Sequence, residues 1–244
     1  AESVSPFLGV DAPHGTVVAV HTYRRGEQLL AVALTVLAGF VDSVGFLYLG
    51  GVFLSFMSGN TTRAATAAVE GDGDLAMLAG SCLGMFLAGV IFGALVNRLS
   101  RRRWDITRAR EAVMVTVTLL FGLSALLVAV GAERMATLVL SVGIGTLNSV
   151  FERDGEVAVP LTYMTGTLVK MGQRLVDAFF GGEHIRWISH LLLWIGLATG
   201  AVGGAVVFGV LGIDTVYVIA GYMLVLTVVS QMVRERRRHV GLPL

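Results

Sequence analysis

Residues Phe40 to Arg63 return in a second, diverged copy, and that duplication constrains the fold more than any other feature of the chain. The first copy reads Gly39-Phe40-Val41-Asp42-Ser43, then an apolar stretch, then Met57-Ser58-Gly59-Asn60-Thr61-Thr62-Arg63. About 107 residues later come Gly145-Thr146-Leu147-Asn148-Ser149 and Met164-Thr165-Gly166-Thr167-Leu168-Val169-Lys170. Asp42 falls on Asn148, Ser43 on Ser149, Ser58 on Thr165, Gly59 on Gly166 and Arg63 on Lys170, with one residue inserted in the second copy. Each copy places a polar pair late in a hydrophobic run, then a Met-[Ser/Thr]-Gly break, then a cation.

The runs around these breaks belong in a membrane. Hydrophobic residues make up 55% of the chain and charged residues only 14%, against about a quarter in soluble domains. Mean hydropathy is +0.78, and the uncharged runs reach the roughly 18 residues expected of a spanning helix. A membrane β-barrel would alternate apolar and polar residues in segments of about 10; these runs are continuous. The fold class read from the sequence is therefore an all-α integral membrane protein. The single cysteine, Cys82, rules out an internal disulfide and a cysteine-based metal cluster, and reads as a buried packing residue.

Residues 1–26 read as an extended cytoplasmic tail without a secretory signal. Six spans follow, at about 28–49, 75–96, 112–132, 135–151, 187–211 and 215–233. The first repeat covers 27–132, the second 133–233, and a basic tail 234–244. The pieces after Asn60 and Gly166 are helical in propensity but too short to cross, with Asn60 or Thr61 placed to cap the first. Arginines at 98, 101, 102, 103, 108 and 110, and again at 234, 236, 237 and 238, should face the cytoplasm. Both termini then lie inside a bacterial plasma membrane. Eight spans would also leave both termini inside but would move the 98–110 arginines outside, so six fits better. Two three-span repeats must run in opposite senses, the inverted arrangement common in secondary transporters. The two breaks then enter as re-entrant or unwound helices, which is tolerable only where their backbone is buried in protein or faces a watery cavity.

With Gly39-x-x-Asp42-Ser43, Phe53 and Met57-Ser58-Gly59-Asn60, the chain resembles the YoaK family of bacterial membrane proteins from about residue 28 to 235. The family has Thr where this chain has Ser58. The resemblance implies six spans and a membrane location, and transport of small metabolites only by inference.

Asp42 is the sharpest functional candidate, because an acid deep in an apolar span usually faces a cavity or a partner. It could bind a proton or cation; the plainer reading is a hydrogen-bonded acid that holds helices together. Ser43, Asn148 and Ser149 complete the polar pairs. Ser58, Gly59, Asn60 and Thr61, with Thr165, Gly166 and Thr167, could offer helix N-terminal N–H groups and hydroxyls to an anion. Arg63 and Lys170, one turn further, could attract the same anion or extend to the membrane interfaces. The plainer reading is a glycine kink with hydroxyl caps. His190 reads as structural. The small-residue faces Gly80-x-x-x-Gly84, Gly89-x-x-x-Gly93 and Gly196-x-x-x-Gly200-x-x-x-Gly204 read as contacts between the halves, with homodimerisation or a membrane-protein partner as the rival. The leading function is a secondary transporter of a small polar or anionic metabolite, proton-coupled through Asp42. The alternative is a non-transporting subunit or scaffold of a larger membrane complex. No enzyme site, cofactor, metal or nucleic-acid partner is expected; the partners are the bilayer and the small-molecule substrate.

Overall fold

The computed structural model describes residues 25–153, 156–159, 161–181 and 186–239. The 1–24 part of the expected tail, Asp154, Gly155 and the last five residues of the expected basic tail lie outside the described residues. Among the described residues, eight α-helices follow one another: α1 (Arg25–Tyr48), α2 (Met57–Glu70), α3 (Gly73–Arg101), α4 (Ile106–Ala129), α5 (Glu133–Leu147), α6 (Met164–Phe179), α7 (Arg186–Leu211) and α8 (Thr215–His239). A 3-10 turn at Asn148–Phe151 extends α5, and another at Gly212–Asp214 joins α7 to α8. The strand structure among the described residues is a two-residue antiparallel ladder, β1 (Glu152–Arg153) with β2 (Glu156–Val157).

Helix ends fall where the local chemistry dictates. Asp72 accepts from Leu75 N and starts α3, while Gly71 at φ 83° ends α2 in the left-handed conformation that glycine adopts without steric cost. Asp105 caps α4 through Arg108 N. The acidic 70–74 turn is therefore a stop followed at once by a start.

Among the described residues, five stretches are long and apolar enough to cross a membrane: 26–48, 73–101, 106–129, 133–151 and 187–237. The last holds both α7 and α8 with the 3-10 turn between them. Helices α2 and α6, at 14 and 16 residues, reach only about 21–24 Å, short of a hydrocarbon core about 30 Å thick. Large apolar side chains such as Leu87, Ile91, Leu119, Leu126, Val206 and Val210 point outward, as surfaces solvated by lipid do. Helix α5 is the most enclosed span, and Leu140, Ile144 and Leu147 pack in the core with Phe121 of α4 and Leu34 and Leu37 of α1.

Two helix pairs dominate the packing, α1 on α7 and α3 on α5. Both are backbone-to-backbone contacts made possible by glycine. A Cβ on Gly200 would overlap Val36 O, and one on Gly89 would overlap Val142 O. Gly204 lies against Phe40 and the Ser43 hydroxyl, and Gly93 against Thr146 and the Ser149 hydroxyl. Gly39 meets Leu197 O, and Gly145 meets Phe86 O. These are the same contacts made twice. Val36 and Val142 are a step of 106 positions apart, as are Gly39 and Gly145; Gly89 and Gly200 are a step of 111 apart, as are Phe86 and Leu197. The glycine faces at 89/93 and 196/200/204 are thus consumed inside the chain. Gly80 and Gly84 instead face open space.

The basic segments depart from the simple loop-and-tail expectation. Arg110 sits on α4 and pairs with Glu27 of α1 at 2.8 Å; Arg234 sits on α8, which runs on to His239, and pairs with Glu111 of α4. Burial selects arginine here because its fixed fork of donors can be matched by a carboxylate.

Gly200→Ala and Gly89→Ala should each destabilise by about 1–3 kcal/mol, because a backbone carbonyl cannot yield as a side chain can. Gly84→Ala should change stability by less than about 0.5 kcal/mol. Denaturant titration in detergent, read by exposure of the buried Cys82 thiol, checks all three.

Candidate functional site

Asp42 lies six residues before the end of α1, about 9 Å along the helix axis. The chain leaves α1 at Tyr48, turns back through residues 49–56 and starts α2 at Met57. That returning segment is not helical, and its polar backbone is held group by group. Asp42 Oδ1 accepts from Leu54 N and from Ser55 N, each at 2.8 Å. Asn60, fully buried, accepts from Phe53 N at 2.9 Å and donates to Phe53 O at 2.7 Å. Arg63 donates to Gly50 O at 3.1 Å. Across the interface, the Ser141 hydroxyl of α5 sits between Leu54 O and Cys82 O. An unmatched buried peptide group costs about 1–3 kcal/mol, so this set of partners is what allows irregular backbone at this depth.

The second break uses the same positions with different chemistry. Asn148 Oδ1 accepts from the Thr162 hydroxyl at 3.0 Å, where Asp42 binds the Ser55 backbone. Thr167 stands where Asn60 does, is fully buried, and donates to Tyr163 O at 3.1 Å. The Ser149 carbonyl accepts from Asn97 of α3 at 2.8 Å. Beyond the spans, burial raises the Glu152 carboxyl above its ordinary range, against the opposing pull of the Ser149 side chain, Arg101 and Arg98.

Both breaks open into one cavity of about 780 Å³. From the first come Phe53, Ser55, Phe56, Met57 and Ser58; from the second, Thr162 to Gly166. Asp42 and Ser43 of α1 face it, with Leu197, Ala201 and Ala205 of α7 and Phe86 of α3 closing its sides. The N-termini of α2 and α6 therefore meet at one space. Their N-cap positions are Phe56 and Tyr163, neither with a side-chain cap. The expected capping by Asn60 or Thr61 does not occur: Asn60 is committed to Phe53, and Thr61 donates back to Met57 O. A helix start without a side-chain cap presents N–H donors and the positive end of the helix dipole.

Of the residues singled out from the sequence, Asp42, Ser43, Ser58, Thr165 and Gly166 line this cavity. Gly59, Asn60, Thr61, Arg63, Asn148, Ser149, Thr167 and Lys170 do not. Gly59 is instead packed under the Phe53 and Phe56 rings, where a Cβ would overlap Phe56. The reading also missed the aromatic wall. Phe46 and Phe53 stack with ring centres 4.8 Å apart, and Phe53 meets Phe56 edge-on at 5.2 Å, with Phe86 and Tyr163 also in the lining. The recurring Phe at 46, 53 and 56 was the available signal, but in an apolar chain it looks like ordinary core.

The family described as "Protein of unknown function (DUF1275)" matches residues 30–229, most of the chain and both breaks. The chain belongs to this family. The chain is also similar to the UPF0700 transmembrane protein RA0705 of Rhizobium meliloti (strain 1021), 31% identical over 185 residues, which cover 75% of this chain and 77% of that protein. No solved structure matches. The expected resemblance to an uncharacterised bacterial membrane family is met, and the protein is a membrane protein. Every residue lining the cavity falls within the 30–229 stretch that the family matches.

Asp42→Asn should fold nearly as well as the parent, because an amide oxygen can accept the Leu54 and Ser55 N–H groups as Asn148 accepts from Thr162. Asp42→Leu and Asn60→Leu should each cost about 2–4 kcal/mol by stranding two backbone groups. Unfolding in detergent distinguishes them.

Proposed function

We propose that this protein is a secondary transporter, not an enzyme, that moves a small molecule with an acceptor or anionic head and an apolar body through the cavity between the two breaks. The observation that carries this reading is the convergence of two uncapped helix N-termini, one from each half, on a single space beside an acid. In transporters built from repeats, half-helix N-termini aimed at a central site bind anionic substrate groups. A volume of about 780 Å³ falls within the usual range for small-molecule sites. Its aromatic wall suits an apolar substrate body, which adds an apolar part to the small polar or anionic metabolite expected from the sequence.

The architecture we propose for this activity has six spans, counting α7 and α8 separately, in two inverted repeats. The doubled α1–α7 and α3–α5 contacts support it. Helices α2 and α6 would be re-entrant, entering from opposite faces of a bacterial plasma membrane with both termini in the cytoplasm. Asp42 would couple transport to protons. An anion arriving beside the Asp42 carboxylate meets like charge, and a proton on Asp42 removes that repulsion. Anion and proton then travel together as a neutral pair. The scaffold alternative is weakened, because the glycine faces at 89/93 and 196/200/204 are engaged within the chain.

Proteoliposomes with an imposed proton gradient test the proposal against a panel of branched and aromatic carboxylates. The parent should accumulate at least one of them, and Asp42→Asn should lower gradient-driven uptake at least tenfold while leaving exchange at equal pH. Ser58→Trp, placed in the cavity mouth of α2, should abolish both without unfolding the protein. Equal gradient-driven uptake by the parent and Asp42→Asn would remove Asp42 as the coupling group.

A further inference from the structure

A second cavity, of about 440 Å³, lies where the first turns of α1 and α4 meet the last turns of α8. Its walls differ sharply in chemistry. One carries Arg110, Arg234 and Arg237 with Glu27 and Glu111. Arg110 Nη1 bonds Glu27 Oε1 at 2.8 Å, and Arg234 Nε pairs with Glu111 Oε1. Three guanidinium groups against two carboxylates leave a net positive charge. Arg110 Nε and Arg234 Nη1 are buried without a hydrogen-bond acceptor, and Arg237 has no ion pair among the described residues. Buried donors are nearly always satisfied, and charged ones left open are the most costly. The rest of its lining is mostly apolar, and Leu29, Val229 and Val233 are exposed on the outer face.

We propose that this cavity binds the phosphate headgroup of an anionic phospholipid, with the acyl chains lying along Leu29, Val229 and Val233. Guanidinium groups match phosphate oxygens with paired N–H donors. The two carboxylates are already occupied by Arg110 and Arg234, so the site has no free acid to attract the choline ammonium of a zwitterionic lipid. Basic pockets between helices at one membrane face take anionic headgroups for this reason. The site is independent of the transport cavity. It joins α1, α4 and α8, so a bound lipid would tie together helices from both repeats.

The test uses the full chain in neutral detergent, unfolded by heat with added phosphatidylglycerol, phosphatidylcholine or inorganic phosphate. Phosphatidylglycerol should raise Tm by several degrees, whereas phosphatidylcholine and phosphate alone should shift it by less than one. Arg237→Gln leaves both ion pairs in place and should raise the half-saturating phosphatidylglycerol fraction about fivefold. Arg102→Gln, outside the cavity, should leave it unchanged. Equal stabilisation by the two lipids would overturn the proposal, as would equal weakening by the two variants, which would signify diffuse surface attraction. Saturation by inorganic phosphate, with no further effect of lipid, would assign the cavity to a free phosphate ion instead.

Discussion

A peptide group that leaves a helix within a membrane must find a partner inside the protein, and this structure is arranged around that requirement. Two segments, 49–56 and the described residues between β2 and α6, are irregular, and each is answered by a polar residue late in the preceding span and another one turn into the following helix. In the first half the answer is given directly to backbone N–H groups by Asp42 and Asn60. In the second, Asn148 meets a hydroxyl and Thr167 meets a carbonyl. The acid is therefore no isolated charge in an apolar span. It has a structural task, and it also borders the cavity that the same break creates.

What lies around the breaks is set by backbone contact at glycine. Side chains cannot intervene where Gly200 meets Val36 or where Gly89 meets Val142, so α1 with α7, and α3 with α5, approach as closely as helices can. The two helix pairs repeat the same glycine-to-carbonyl contacts, Gly200 on Val36 and Gly89 on Val142, with Gly39 on Leu197 and Gly145 on Phe86. Intervening hydroxyls, such as Ser141 between Leu54 and Cys82, tie the pairs to the irregular segments.

Much of this was legible from residue order. Long apolar runs marked the five stretches that, among the described residues, are able to cross a membrane, and the 70–74 acids and Gly212 marked turns. Of the paired positions, Asp42, Ser58 and Thr165 border the cavity, whereas Asn148 does not. The small-residue spacing at 89/93 and 196/200/204 found the contacts between halves. Other features were hidden for physical reasons. Asn60 has the composition of a cap, yet its amide matches the Phe53 peptide in two directions, a geometry set by the fold of the returning segment. Arg63 looked like an anion ligand and instead supports Gly50. Arg110 and Arg234 read as loop and tail charges, because nothing in their neighbourhoods reveals that Glu27 and Glu111 will stand opposite. Pairing across 83 positions is invisible to local pattern.

The glycine seams also bear on how such a molecule can move. A crossing with backbone against backbone has no compressible layer of side chains, so neither pair can slide or ratchet internally without collision. Each behaves as a stiff bar. Rearrangement must therefore concentrate between the bars, where contacts are made by side chains and can exchange partners. The aromatic-walled cavity lies on that line, bounded by α1 and α7 on one side and by Phe86 of α3 on the other. A small rotation of one bar against the other would change the cavity's shape first and leave the glycine crossings intact.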